Sequence, residues 1–179
     1  MSHEHTAALK GTAICRLLSE PEIEELAAIA ERAMVPAGSE IFREGDPGDG
    51  LYMVLAGEID VVKRTPGGER SLARLGAGGV LGEMSLLTDD VRSATGRALV
   101  ETAVLRLPVT AFRALLERGS PAALKVVAGI GEVLARRVAT MNAQVLELAE
   151  KVEKAQPESE AMSVEKFVQL HRALQVWSF

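Results

Sequence analysis

The sequence predicts a mainly β protein with flanking helices, in which an antiparallel barrel or jelly roll occupies the middle of the chain. Short apolar runs separated by glycine-rich turns fill residues 40–107, which is typical of many short antiparallel strands. A helix-capping sequence precedes this region at Ser19–Glu22, and a long pattern of helical spacing follows it from Pro121 to Glu150. We therefore expect helices on both sides of the barrel.

The first predicted helix begins at Ser19, because this serine can cap a helix and Glu22 completes a Ser-x-x-Glu capping box. Apolar residues then recur at helical spacing up to Met34, and Pro36-Ala37-Gly38 ends the segment. Residues 1–18 form an N-terminal segment, and we expect its histidine-bearing start to be frayed. The apolar positions of the predicted helix are Ile23, Leu26, Ala27, Ala30 and Met34.

Short apolar runs indicate the strands of the barrel. Ile59 and Val61 alternate with polar neighbours, as in a half-buried strand. The Thr65–Gly68 segment has the composition of a hairpin turn, and most other glycines of the region fit turns, where positive φ costs glycine little. The apolar runs lie at residues 41–42, 51–55, 59–61, 72–75 and 104–107.

Two helices are predicted after the barrel. A short one runs from Thr110 to Glu117, and a long one starts at Ser120-Pro121. The apolar residues of the long helix alternate at spacings of three and four, which is the heptad pattern of a two-helix seam. We therefore predict a homodimer through helix 121–150, with packing of this helix on its own barrel as the alternative. The heptad positions are Leu124, Val127, Leu134, Val138, Met141, Val145, Leu148 and Val152.

The end of the chain forms a further predicted element. Residues 163–175 have amphipathic helical spacing, and Trp177 and Phe179 follow them. Large exposed aromatic side chains favour contact with another surface, so we expect this tail to dock. The predicted organisation is an N-terminal segment at 1–18, a barrel with short flanking helices at 19–119, a long helix at 120–156 and a tail helix at 157–179.

The composition narrows the function classes. The 179 residues are 47% hydrophobic and carry a formal net charge of -5, which argues against a nucleic-acid binder, since such proteins usually have a basic face. The single cysteine, Cys15, allows no internal disulfide or cysteine-rich zinc site and fits a reduced, cytoplasmic setting. We see no signal peptide and no window of about twenty apolar residues, so we expect no membrane span.

Residues for catalysis or metal binding are scarce. The three histidines are His3, His5 and His171, so none lies between residues 6 and 170. A cupin-type metal enzyme would need clustered histidines on its barrel strands, and no Ser/His/Asp or Cys/His set is available either. We therefore expect no catalytic residue, no metal site and no cofactor.

The stretch LGEMSLLTDDVRSATGRA, residues 81–98, holds the predicted ligand-binding residues. An arginine donates two parallel hydrogen bonds and stays charged, so Arg92 suits a phosphate, and the Glu83 carboxylate can accept from a ribose hydroxyl. Backbone N–H groups of a helical turn at residues 82–86 can face the phosphate. Spacing alone also allows a Glu83–Arg92 ion pair that binds nothing. The predicted set is Gly82, Glu83, Met84, Ser85, Arg92 and Ser93.

Gly82-Glu83-Met84-Ser85-Leu86-Leu87, followed by Arg92-Ser93-Ala94-Thr95, resembles the phosphate-binding cassette of cyclic nucleotide-binding domains. The similarity extends to residues 36–46 and 51–59. The resemblance implies an eight-stranded antiparallel jelly-roll barrel and a ligand that is cAMP or cGMP. It places Glu83 at the ribose, and Arg92 and Ser93 at the phosphate, and it implies that the helix after the barrel moves when ligand binds.

The stretch departs from the family pattern at three places, none of which removes a binding group. Val91 replaces a frequent proline, and Leu81 replaces a frequent phenylalanine. Gly96-Arg97 replaces a β-branched residue and its small neighbour, which favours a looser strand. Ser93 in place of threonine favours cAMP over cGMP by analogy with the family.

We predict a bacterial-type cyclic nucleotide receptor, not an enzyme, that relays ligand binding through its C-terminal helices to an unidentified protein effector. A transcription factor of the catabolite-activator kind would need a helix-turn-helix after the long helix, and few residues follow Glu150, so we expect no DNA partner. The alternative is a barrel that binds no ligand and serves as a protein-interaction or dimerisation module.

Overall fold

The computed structural model describes residues 2–88 and 90–155, with side chains described from residue 5 to residue 151. The chain packs as two units that divide inside the last helix, after Gly131. The first unit contains all the strands of the described residues, and the described part of the second is helical. The predicted tail, residues 157–179 with Trp177 and Phe179, lies outside the described residues.

Within the described residues, eight strands form two antiparallel four-stranded sheets in the orders β1-β8-β3-β6 and β2-β7-β4-β5. Helices flank the sheets on both sides in the chain, so the predicted fold class is confirmed. The strands are β1 Glu31–Val35, β2 Glu40–Phe42, β3 Gly50–Ala56, β4 Ile59–Thr65, β5 Gly68–Leu75, β6 Val80–Leu81, β7 Thr95–Ala98 and β8 Thr102–Pro108.

Short helices lie before and within the barrel along the chain, and the longest helix follows it. A 3₁₀ turn at Ala13–Cys15 lies between the first two helices. The α-helices are α1 Ser2–Lys10, α2 Glu20–Ile29, α3 Met84–Leu87, α4 Val109–Glu117 and α5 Pro121–Ala155. None of the helices within the described residues is long and apolar enough to cross a bilayer.

The core of the barrel includes strand residues from both sheets. Partly buried apolar residues of β1, β2 and β5 close this cluster at its edges. Such dense apolar contact supplies most of the stability of a two-sheet fold. The buried members are Tyr52, Val54, Ile59, Leu81 and Val104, and Val35, Ile41, Phe42 and Leu75 pack against them.

Helix α2 ends earlier than its apolar spacing predicts. The capping box is confirmed, because the Ser19 amide donates to Glu22 Oε2 at 2.7 Å, but the helix stops at Ile29 and β1 starts at Glu31. The prediction that Met34 belongs to the helix is therefore wrong, and its side chain is 54% exposed on the strand. Pairing of β1 with β8 outweighs the local helical pattern of this segment.

The N-terminal segment contains a helix that the sequence analysis did not predict. Helix α1 covers Ser2–Lys10, and Leu9 is fully buried. His5 Nδ1 lies 3.4 Å from the carbonyl oxygen of Ala27 on α2. The buried side chain of Leu9 anchors α1 within the first unit.

The start of α5 packs against the N-terminal segment. The Ala123 amide donates to the capping hydroxyl of Ser120 at 3.3 Å, as the sequence predicts. A Cβ on Gly129 would lie 2.5 Å from the carbonyl oxygen of Ile14, so the absence of a side chain there allows close backbone approach. The buried face of this part of the helix is formed by Ala122, Ala123, Val126 and Ile130.

Candidate functional site

Gly82 lies next to Arg92 in the candidate site, in a backbone conformation that residues with a side chain rarely adopt. It follows β6 with a φ of +74°, which glycine adopts with little cost. A Cβ added there would lie 2.2 Å from Nη1 of Arg92 and 3.0 Å from the carbonyl oxygen of Gly50. The chain therefore keeps glycine where a guanidinium and a backbone turn meet.

The single turn of α3 continues from this glycine. Ser85 is buried, and its hydroxyl lies within hydrogen-bond distance of the carbonyl oxygens of Gly82 and Gly50, at 2.7 and 3.1 Å. Glu83 stands at the N-cap of the turn and is only 5% exposed. A carboxylate is rarely buried to this degree without a hydrogen-bonding role.

Arg92 lies in the loop before β7, and its side chain, which is 4% exposed, extends to Gly82 and Ser85. Its Nη1 donates to the Gly82 carbonyl and to Ser85 Oγ, both at 3.2 Å. Its Nη2 donates to Asp49 Oδ1 and, at 2.8 Å, to the Gly50 carbonyl. The buried Nε has no hydrogen-bond acceptor among the described residues, so one of the five donors of the guanidinium is unpaired within the described part of the chain.

Aromatic rings cover the guanidinium from inside the barrel. Its Cζ lies 4.1 Å from the ring centroid of Phe42 and 5.6 Å from that of Tyr52, within cation–π range. Gly96 makes room for this stack, because a Cβ there would lie 3.0 Å from Leu81 Cδ1 and 3.4 Å from Phe42 Cζ. The departure at Gly96 thus accommodates Phe42 beneath Arg92.

Asp49 is the carboxylate that pairs with Arg92, and the sequence analysis missed it. It also accepts from the Tyr52 hydroxyl at 2.7 Å and from Arg106 Nη1 at 2.8 Å. Partial burial by itself would raise the pKa of Asp49, but the hydrogen bonds from Tyr52, Arg92 and Arg106 hold that pKa below its ordinary value. Burial and the bond to Asp49 raise the pKa of Tyr52 to about 12. The only signal for Asp49 in the sequence is its place just before β3.

The backbone of Arg92 is fixed by the turn after β2. Its amide donates to the Asp46 carbonyl at 2.8 Å, and its carbonyl accepts from the Gly45 amide at 2.9 Å. Gly45 has a φ of +89°, so the turn that makes both bonds depends on a left-handed glycine. These two bonds hold the main chain of Arg92 while its side chain crosses to Gly82.

The structure brings some of the predicted residues together and leaves others at the edge. Gly82, Ser85 and Arg92 are in direct contact, and buried Glu83 adjoins them in the chain. Met84 is 45% exposed, and Ser93 is also exposed. The arrangement offers one small anion a fixed cation, a buried N–H group and a nearby carboxylate.

The large groove on the first unit is a different feature. It has a volume of about 690 Å³ and contains none of the six predicted residues. Two of its lining residues also contact Arg92: the Phe42 ring packs on the guanidinium, and the Asp46 carbonyl oxygen accepts from the Arg92 amide. The groove is lined by Gly38, Ser39, Glu40, Phe42, Arg43, Asp46 and Arg97.

Comparison with known proteins agrees with this architecture. The family model of the cyclic nucleotide-binding domain matches residues 32–119. The Cyclic AMP receptor protein of Thermus thermophilus is 36% identical over 132 residues, which are 73% of this chain and 59% of that protein. This chain therefore spans less than two thirds of the length of that curated relative.

Two solved structures show the same fold. A cyclic nucleotide-binding domain from Methylobacillus flagellatus has a TM-score of 0.71 at 27% identity, covering 79% of this chain and 84% of that one. A cyclic nucleotide-binding-like protein from Brucella abortus has a TM-score of 0.56 at 32% identity, covering 63% of this chain and 97% of that one. The chain belongs to the cyclic nucleotide-binding domain family.

Proposed function

We propose that this chain is a receptor that binds a cyclic nucleotide at the corner formed by Gly82, Glu83, Ser85 and Arg92. The observation that carries the proposal is the buried Arg92 Nε–H group, which has no acceptor among the described residues. An unpaired buried donor on a charged group is costly, because it has lost water without gaining a partner. A phosphate oxygen at this position would remove that cost.

The phosphate would be held by a guanidinium that is already fixed in place. Four hydrogen bonds and the Phe42 ring hold the Arg92 guanidinium in one orientation, and a side chain fixed by the protein loses little entropy when it binds a ligand. The amides of Met84 and Ser85 lie in the first turn of α3, where backbone N–H groups have no intrahelical acceptor. We assign the exposed Ser93 hydroxyl an additional bond to the phosphate.

The ribose would be recognised by Glu83. Glu83 is buried and follows Gly82 in the chain, and the Gly82 carbonyl oxygen accepts a hydrogen bond from Arg92 Nη1 at 3.2 Å. A cyclic 3′,5′-phosphate ties its phosphorus to the same ring that carries the 2′-hydroxyl, and a site for it needs both groups close together. A buried carboxylate one residue from the contact between Gly82 and Arg92 supports a cyclic nucleotide over a free phosphate.

We propose cAMP as the preferred nucleotide. Ser93 stands where the family resemblance associates threonine with cGMP. The 36%-identical Thermus thermophilus relative is a Cyclic AMP receptor protein. Both observations favour adenine, and calorimetric titration with cAMP and cGMP at the same salt concentration compares the two directly.

The test of the function is calorimetry on the wild type and on Arg92→Gln, which removes the charge but keeps a polar side chain. We expect the variant to lose at least tenfold in cAMP affinity, because a charge-assisted bond is worth roughly 1.5–3 kcal/mol. Arg74→Gln, at an exposed position of β5, is the matched control and should bind as the wild type does. Absence of cAMP and cGMP binding by the folded wild type would reject the proposal.

Signal relay is proposed to run through α5, which also provides the dimer interface over residues 121–150. Several heptad positions expose their apolar side chains in the second unit: Val138 and Met141 are 50% and 56% exposed, and Leu148 is 63% exposed. A second copy of this helix would cover such a stripe. The effector that receives the signal is proposed to be a protein.

One observation favours a second candidate, a barrel that binds no ligand and serves protein contacts. The protein itself already supplies four acceptors to Arg92, so this residue could act only to hold the barrel corner. The same calorimetric comparison separates the two functions. No binding heat from either the folded wild type or folded Arg92→Gln would favour the second.

A further inference from the structure

We propose that Lys63 is a positioning residue of the ligand site, whose ammonium holds the Ser93 carbonyl and so sets the loop that presents Arg92 and Ser93 to the phosphate. The inference rests on the proposed function, because the loop has a ligand to position only if the site binds one. Lys63 lies on β4, about thirty residues before the loop in sequence. Neither the predicted site nor the family comparison assigns it a role.

The Lys63 ammonium bridges the loop and the turn after β2. Its Nζ donates to the Ser93 carbonyl oxygen at 2.6 Å and to Glu44 Oε1 at 2.8 Å. The other Glu44 oxygen, Oε2, accepts from the Arg64 amide at 3.1 Å. The Glu44 carboxylate is therefore held by the Lys63 ammonium and by the Arg64 amide. It fixes the ammonium next to the loop before β7, which contains Arg92 and Ser93.

The rest of the loop is anchored on either side of Ser93. Arg92 is bonded through its amide and carbonyl to Asp46 and Gly45, and the Glu44 amide donates to Thr95 Oγ1 at 3.0 Å. Between these anchors, the ammonium of Lys63 holds the Ser93 carbonyl. One side chain thus controls the orientation of the Ser93–Ala94 peptide.

The orientation of this peptide determines what the loop offers a ligand. A peptide bond is planar and trans, so a carbonyl directed at Lys63 turns the Ala94 N–H to the opposite side. Loss of the ammonium would allow the peptide to rotate and would displace the neighbouring Ser93 hydroxyl. No group assigned to the ligand would be removed, so the effect should appear as poorer placement of the phosphate.

The experiment measures the affinities of the two phosphorothioate diastereomers of cAMP, which differ only in the exocyclic oxygen that sulfur replaces. For Lys63→Met we expect a loss of roughly tenfold in cAMP affinity and an affinity ratio for the diastereomers that moves toward one. Lys63→Arg should restore most of the ratio, because it keeps a charged donor. A general loss of stability would weaken both diastereomers equally and leave the ratio unchanged.

Arg64→Met is the matched control, because it removes the same charge from the next residue of β4, which faces the other side of the sheet. Its backbone amide, which binds Glu44, remains, and we expect wild-type affinity and ratio. If Lys63→Met does not fold, Glu44→Gln tests the same bridge by removing its anion and should shift the ratio in the same direction.

The outcomes distinguish the two claims. A wild type that binds cAMP, with Lys63→Met showing the wild-type ratio, would overturn the role of Lys63 and leave the proposed function standing. A folded wild type that binds neither cAMP nor cGMP would overturn both. A ratio altered in Lys63→Met, restored in Lys63→Arg and unaltered in Arg64→Met would support the positioning role.

Discussion

Gly82 is the residue on which the geometry of the site depends most directly. A methyl group there would overlap Arg92 Nη1, at 2.2 Å, and its backbone has a φ of +74°. We expect Gly82→Ala to displace the guanidinium and to abolish measurable cAMP binding. It should also destabilise the fold by more than the roughly 1–2 kcal/mol that a left-handed backbone alone costs alanine.

The matched control for this prediction is Gly38→Ala. Gly38 has a similar φ of +79°, and nothing lies within 4 Å of the position of its Cβ. Chemical denaturation of the two variants therefore separates the cost of the backbone from the cost of the overlap. Equal destabilisation of both, with cAMP binding retained in Gly82→Ala, would show that Arg92 does not need the space.

The residues of the site were only partly predictable. Gly82, Ser85 and Arg92 lie within one short stretch, so their spacing and chemistry indicated a site. Asp49 and Phe42, by contrast, precede Arg92 by more than forty residues and reach it only because the strands pair as they do. Local spacing carries no information on such contacts.

At the scale of elements, two glycines of α5 should respond in opposite ways to the same substitution. A Cβ on Gly129 would lie 2.5 Å from the Ile14 carbonyl oxygen, whereas a Cβ on Gly131 would meet nothing within 4 Å. Alanine gains about 1 kcal/mol over glycine within a helix. We therefore expect Gly131→Ala to stabilise the protein by up to that amount and Gly129→Ala to destabilise it, as measured by urea denaturation. Stabilisation by both would contradict the close packing of α5 on the 3₁₀ turn.

The link between α2 and α5 should make stability depend on pH. Glu22 Oε1 pairs with Lys125 Nζ at 2.7 Å, and hydrogen bonds from Lys125 and from Ser19 lower the pKa of Glu22 to about 2. A carboxyl with a lowered folded-state pKa stabilises the fold above its unfolded pKa, near 4.5, and loses this effect as pH falls toward 2.

The measurement is the free energy of unfolding between pH 6 and about pH 3. Over this window, the stability of Glu22→Gln should fall less steeply than that of the wild type, because glutamine does not titrate. Glu24→Gln, at an exposed position of the same helix, is the control and should keep the wild-type slope. Parallel curves for all three proteins would rule out the link as a source of pH dependence.

The elements themselves were largely predictable, with failures that have a physical reason. The capping box and the serine cap of α5 depend on local chemistry, and both are present. The end of α2 was misplaced because residues 31–35 have helical spacing but pair with β8 as a strand. Long-range pairing decided this segment, and no local pattern reports such pairing.

At the scale of the whole molecule, the exposed heptad residues of α5 predict self-association. We expect the wild type to sediment as a dimer and the double variant Val138→Glu, Leu148→Glu to sediment as a monomer, because charge at seam positions opposes helix pairing. Thr140→Glu, at an exposed position of α5 away from the seam, should remain dimeric. A monomeric wild type at micromolar concentration would contradict the interface.

The fold class was predictable because two observations indicate an antiparallel barrel: the short apolar runs separated by glycine-rich turns, and the resemblance to the phosphate-binding cassette. The pairing order was not, since strand order depends on contacts between distant segments: β1 joins β8, and β2 joins β7. Because β2 pairs with β7, the turn after β2 lies beside the loop before β7 and forms hydrogen bonds with the backbone of Arg92. Function in this fold thus depends on pairing that the linear pattern leaves open.

The most direct test of the account is the NMR signal of the Arg92 Nε–H group during titration with cAMP, assigned by its absence in Arg92→Lys. The Nε–H group is buried and has no acceptor within the described residues. When a phosphate oxygen accepts its hydrogen bond, the signal of this proton should move downfield and the proton should exchange more slowly with water. A signal that stays unchanged at saturating cAMP, while other resonances shift, would contradict binding of the phosphate at Arg92.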